Sequence, residues 1–115
     1  MTIDLSKARI YLRPGRTDLR KAVNGLAGII EQQMGGQPFD GNVYLFCNRE
    51  RKLLKAVYWQ KNGFWLCQKR LEKDKFPWPQ TNEAARELSE EELLMLLAGI
   101  DFFKAHKNLY YKNVS

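Results

Sequence analysis

Apolar residues change their spacing several times along this chain, and each change marks an element. Ile10 and Leu12 fall on one face of an alternating stretch from Ala8 to Arg13, which predicts a short strand broken by Pro14-Gly15. Beyond it Leu19, Val23, Leu26, Ala27, Ile30 and Met34 recur at helical spacing, predicting a helix from Asp18 to about Met34. Thr17 stands where an N-cap belongs, and Asp18 suits the positive end of the helix dipole. Gly35-Gly36 ends the helix. Gly25 and Gly28 interrupt it and are expected to let it pack closely on a sheet.

After a turn at Pro38-Phe39-Asp40-Gly41, three segments rich in Val, Tyr, Phe, Trp and Leu predict strands: Asn42 to Asn48, Lys52 to Gln60, and Phe64 to Leu71. Arg49-Glu50-Arg51 and Lys61-Asn62-Gly63 connect them, with Asn62-Gly63 as a tight-turn signal. In the second strand Leu53, Lys55, Val57 and Trp59 face one way, and Lys52, Leu54, Ala56, Tyr58 and Gln60 the other. Neither face is cleanly apolar. Phe76-Pro77-Trp78-Pro79 cannot continue a ladder and reads as a rigid, extended aromatic segment. Ala84 to Leu88 follows as a short final strand. Ser89 and Glu92 then form a capping box opening a second helix, from about Glu90 to Ala98, stopped by Gly99. The expected fold is α+β, a small antiparallel β-meander of three to five strands packed with two or three helices. Residues 1–101 make the single domain, and residues 102–115 an aromatic, basic C-terminal tail.

A chain of 115 residues with 44% apolar content can bury one core without staples. It has no apolar run long enough to span a bilayer. Its start lacks the pattern of a secretory signal, so a cytoplasmic protein is expected. Cys47 and Cys67 fall on the first and third strands of the meander, roughly 9–10 Å apart across the middle one. That exceeds the roughly 7 Å between Cα atoms that a disulfide spans, so both are expected to be reduced, structural thiols. The lone histidine is His106, and no Cys-x-x-Cys occurs, so neither metal nor cofactor is expected.

Charge changes the picture more than composition does. The net charge is +6, and Arg49 to Lys75 carries all of it, with nine Lys/Arg against three Asp/Glu. Crowding like charges on one hairpin gains a fold little and adds self-repulsion. Two readings fit: a solvated strand face with bases between core residues, or a surface for a polyanion such as a nucleic-acid backbone. Lys7, Arg9, Arg13, Arg16, Arg20 and Lys21 form a second basic cluster, opposed there only by Asp18. Arg16, Arg20 and Lys21 surround the predicted N-terminus of the first helix, where free backbone N–H groups attract phosphate. Most of Trp59, Phe64, Trp65, Phe76 and Trp78 are expected in the core, with proline-flanked Trp78 the most exposed. Catalysis has little to build on. Most of the acids sit at caps, turns and the start of the second helix, no pair is placed for acid–base or two-metal work, and no phosphate-cradling glycine loop occurs.

Several blocks together resemble one family. These are Gly15-Arg16-Thr17-Asp18-Leu19-Arg20-Lys21, Gly25-Leu26, Pro38-Phe39-Asp40-Gly41 and Tyr44-Leu45-Phe46-Cys47-Asn48-Arg49. Lys52-Leu53-Leu54-Lys55, Trp59, Asn62-Gly63-Phe64-Trp65, Lys69-Arg70-Leu71-Glu72-Lys73, Phe76-Pro77-Trp78-Pro79, Leu88-Ser89 and Leu93 to Asp101 continue the match. In order and spacing they resemble the TnpB accessory proteins of the IS66 family of bacterial insertion sequences, from about residue 8 to 101. Two positions depart from that pattern: Glu50, where a further base is usual, and Gln60, where an acid is common. The resemblance implies a small non-enzymatic helper needed in transposition beside a separate, larger transposase, and distinct from the long RNA-guided nucleases of the same name.

Charge and resemblance together give the functional expectation. Arg49, Arg51, Lys52, Lys69 and Arg70, with Arg16, Arg20 and Lys21, are expected to contact phosphates of DNA at the element's ends, or of the transposase–DNA complex. The alternative is a protein–protein adaptor docking on the transposase without touching DNA, with Trp65, Phe76 and Trp78 as its anchors.

Overall fold

The computed structural model describes residues 7–81 and 83–101, and the predicted C-terminal tail lies outside them. Its elements are β1 (Ile10–Leu12), α1 (Val23–Gln33), β2 (Val43–Cys47), β3 (Leu53–Gln60), β4 (Gly63–Arg70), β5 (Arg86–Leu88) and α2 (Glu90–Leu97). The strands form one sheet in the order β4-β3-β2-β1-β5. The predicted meander is its β2-β3-β4 part, antiparallel throughout. β1 adds to it in parallel beside β2, with α1 as the crossover, and β5 pairs antiparallel on the far side of β1. The sheet is therefore mixed.

Both faces of this sheet are covered, which explains why β3 shows no clean alternation. On one face Leu26, Ile29 and Ile30 of α1, spaced to share a helical stripe, pack with Leu19 and Met34 on Tyr44, Phe46 and Val57. On the other, Leu93 and Leu96 of α2 join Phe76 and Trp78 over Ile10, Leu12, Val43, Leu45, Leu54 and Tyr58. Every residue of β2 is buried, as expected of a central strand with a layer on each side.

Three local expectations are corrected by tertiary contacts. First, α1 starts five residues later than its periodicity implies, and its N-cap position is Ala22, without a side-chain cap bond. Thr17 is buried instead. Its N–H donates to the Cys47 carbonyl (2.8 Å) and its hydroxyl accepts from Arg13 Nη1 (2.8 Å), pinning the loop to the end of β2. Second, Gly25 and Gly28 do not face the sheet, since the helix packs through Leu26, Ile29 and Ile30. Third, the β3–β4 turn is Lys61-Asn62, with Lys61 at φ 56° and Gly63 already paired to Gln60 in the ladder. The second helix begins as predicted. Ser89 Oγ accepts from the Glu92 N–H (3.0 Å), and Glu92 Oε1 accepts from the Ser89 N–H (2.9 Å).

Candidate nucleic-acid interface

Two loops at the same end of the sheet meet through one backbone bond. The Thr17 N–H on the Cys47 carbonyl holds the loop after β1 against the β2–β3 turn. In that turn Asn48 Oδ1 accepts the N–H groups of Lys52 (3.0 Å) and Leu53 (3.1 Å), and the Arg51 N–H donates to the Asn48 carbonyl (3.1 Å). This compact turn leaves Arg49 and Glu50 exposed. Arg16 therefore stands on the same rim as Arg49, although 33 positions separate them. Between these loops and α1 opens a cleft of about 940 Å³, lined among others by Arg13, Arg16, Arg20, Lys21 and Arg49 against two acids, Asp18 and Glu50.

The cations of the cleft differ in how they are committed. Arg13 is a brace: its guanidinium donates to Thr17 Oγ1, to the Arg16 carbonyl and to Gln33 Oε1 of α1. Arg20 is paired with Asp18, donating from Nε (3.0 Å) and Nη2 (2.8 Å), and its backbone N–H adds a third bond to the same carboxylate. Those bonds hold the Asp18 carboxyl well below the usual carboxylate range and raise the Arg20 guanidinium further. Both groups are exposed, so the pair contributes little to stability. Among the described residues Arg16, Lys21 and Arg49 have no side-chain hydrogen bond or salt bridge.

The floor of the cleft is helix backbone. Gly25 and Gly28, one turn apart, line it along with Gln32 and Gln33. A Cβ at Gly28 would meet nothing within 4 Å, so this glycine leaves open space rather than relieving a contact. Of the cleft's other lining residues, Arg13 belongs to the basic cluster read from sequence, whereas Gln32 and Gln33 had no signal there beyond the interrupting glycine pair.

The remaining predicted contacts divide between the two faces. Leu53 packs with the α1-side core and pairs with Arg70, whereas Leu54 packs with the α2-side core and pairs with Lys69. Paired residues share a face, so Arg70 lies on the side of the cleft and Lys69 on the opposite side. Lys69 Nζ donates to the Leu97 carbonyl near the C-terminus of α2 (2.7 Å). Arg51, at φ 60°, and Lys52 are half-buried in the turn. The run from Arg49 to Lys75 is thus not a single basic surface. Lys55, also within it, donates Nζ to the Leu19 carbonyl (2.7 Å) and braces the loop before α1.

The aromatic expectations are corrected as well. Trp78 is 4% exposed and Phe76 fully buried, and the indole N–H of Trp78 donates to the Arg13 carbonyl (2.8 Å). Proline on either side keeps this segment out of the ladder, yet it lies across the sheet and carries its rings into the α2-side core. Neither ring is a surface anchor. Trp65, the third anchor expected, is 44% exposed on β4. A separate ring cluster forms at the hairpin tip, where Phe39 and Phe64 both contact Trp59 edge-on with centroids 4.9 Å away.

Neither cysteine forms a disulfide. Cys47 is buried, and desolvation pushes its thiol up to about 12. Among the described residues no group of three or more His, Cys, Asp or Glu could hold a metal ion, and no helix is long and apolar enough to cross a membrane.

Comparison with known proteins places this architecture. Residues 8–107 match the family described as IS66 Orf2 like protein. Uncharacterized protein y4hO of Sinorhizobium fredii (strain NBRC 101917 / NGR234) is 34% identical over 94 residues, covering 82% of each chain. Uncharacterized protein y4jC of the same strain is 29% identical over 99 residues, covering 86% of this chain and 85% of its own. No solved structure matches. The chain belongs to the IS66 Orf2-like family, whose setting is insertion-sequence transposition.

Proposed function

We propose that this protein is a non-enzymatic accessory factor of transposition that grips the phosphate backbone of element DNA, alone or in the transposase complex, through the cleft beside α1. One observation carries the reading. Arg16 and Lys21 from the loop after β1 and Arg49 from the β2–β3 turn converge on that cleft, and among the described residues none of the three makes a side-chain hydrogen bond or salt bridge. A cation that the fold uses for its own stability is bonded within it, as the Arg13 guanidinium is to Thr17, Arg16 and Gln33. Arg70 extends the positive field along the same face. Such contacts position a protein on a duplex without reading its sequence.

The experiment is binding of the purified protein to a labelled duplex carrying the element's terminal repeat, against a scrambled duplex, across a salt series. Three phosphate contacts predict log K falling with log salt at a slope of about −2.7, from ~0.9 per contact. Arg16→Ala with Arg49→Ala should reduce that slope to about −0.9 and weaken both duplexes alike. Preference for the repeat would add base readout to the clamp. Absence of binding at low salt would eliminate the cleft as a DNA site and leave docking on the transposase as the working function.

A further inference from the structure

β4 ends the sheet, and among the described residues no strand pairs with its outer side. It is eight residues long, against three for β5 at the other edge. Proteins usually shorten, bulge or cover such an edge. Here the ladder runs without a bulge from Gln60↔Gly63 to Leu53↔Arg70, and Trp65, Leu66, Gln68, Lys69 and Arg70 are all exposed.

The direction of the peptide groups follows from one bond. The Leu71 N–H donates to the Lys52 carbonyl (2.8 Å), so residue 71 points inward to the β3 chain. Inward and outward residues alternate in an antiparallel ladder. Phe64, Leu66, Gln68 and Arg70 therefore turn their N–H and C=O groups outward. If a second β4 lies antiparallel along this edge, outward residues must pair with outward residues. A single register engages all four on both chains: Phe64 with Arg70 and Leu66 with Gln68, reciprocally, about a two-fold axis at Cys67. We infer that the protein pairs with a second copy of itself through β4 in this register, making one continuous ten-stranded sheet.

The side chains suit it. Between Lys61 and Leu71 there is no acid, so the edge repels most alignments of its own kind. In this register Lys69, with its Nζ on the Leu97 carbonyl, lies opposite the partner's Trp65 on one side of the sheet, and Arg70 faces the partner's Phe64 on the other. The Lys69 stem and the Arg70 guanidinium meet aromatic rings, and no like charges lie directly opposite. A slip of two residues either way leaves an outward residue unpaired and moves Lys69 off the indole. The two-fold axis stands perpendicular to the sheet, so both basic clefts open on the same side.

Sedimentation equilibrium of the full chain in reducing buffer, over a concentration series, is expected to show the mass rising from one chain toward two. Gln68→Pro deletes an outward N–H and no bond to β3, and should hold the protein at one chain with an unchanged far-UV spectrum. Leu66→Lys, which places a new charge at the pairing edge, should do the same without a backbone change. Oxidation by copper(II) phenanthroline tests the register. The native chain should cross-link through Cys67, and Cys67→Ser carrying Gln68→Cys should cross-link far more slowly. A single-chain mass at every concentration overturns the inference, including one that shifts only when an acidic peptide strand is added. So does a dimer that survives both edge variants, or equal cross-linking from positions 67 and 68.

Discussion

Replacing Trp78 tests whether the proline-flanked aromatic segment belongs to the core. Its indole is 4% exposed, packs with Phe76 against the α2-side cluster, and donates to the Arg13 carbonyl at 2.8 Å. Trp78→Ala removes the ring and leaves a cavity, which costs about 3–5 kcal/mol when the surroundings do not collapse. That is a large part of the roughly 5–15 kcal/mol that holds a domain together. Trp78→Phe keeps most of the ring but deprives the Arg13 carbonyl of its donor, for about 1–3 kcal/mol. Trp65→Ala, at 44% exposure, serves as the reference and should cost less than either. The assay is urea unfolding followed by far-UV circular dichroism, with the midpoints compared at constant m. If Trp78→Ala unfolds within about 1 kcal/mol of the parent at unchanged m, the ring is not a core residue and the packing argued here is wrong.

Other expectations follow from single contacts. Gly28→Ala meets open space in mid-helix and should stabilise the protein by about 0.5–1 kcal/mol, read from the urea midpoint. Ser89→Ala removes half of the capping box and should cost about 0.5–2 kcal/mol in the same assay. Asp18 is held low by Arg20, so its small contribution is present above its unfolded pKa and lost as pH falls through the folded one. A carboxyl NMR titration should find Asp18 below the ordinary aspartate range and moved up toward it in Arg20→Ala, which removes the guanidinium but keeps the backbone N–H bond. Burial raises the Cys47 thiol to about 12, so the folded state keeps a proton the unfolded chain releases. Stability should therefore fall as pH rises above about 8.5, more steeply than in Cys47→Ala, and a thiol reagent should reach Cys47 only on unfolding.

Much of the fold was legible because its signals are local. The capping box at Ser89 and Glu92 needs only three residues of spacing, and the strands needed only their composition and turns. That Cys47 and Cys67 are not bridged followed from strand order within a meander. Even the division of Lys69 from Arg70 is implicit in a period of two, once both sit on one strand. What failed locally was overridden by distant partners. Thr17 has every property of an N-cap, but the Cys47 carbonyl and the Arg13 guanidinium hold it elsewhere, and the helix starts later. Trp78 sits between prolines as an exposed residue would, but burial depends on what lies across the segment.

Periodicity, capping and residue order are written in neighbouring positions, and they were enough for an α+β chain with its strands, its second helix, its charge surplus and its family. Which charges lie together in space depended on long-range contacts. Arg16 and Arg49 share a rim through the bond from Thr17 to Cys47, while Lys69, inside the charge run itself, turns to the opposite face. Electrostatic fields add over distance in space rather than along the chain, so a basic surface exists only after the sheet has brought its loops together.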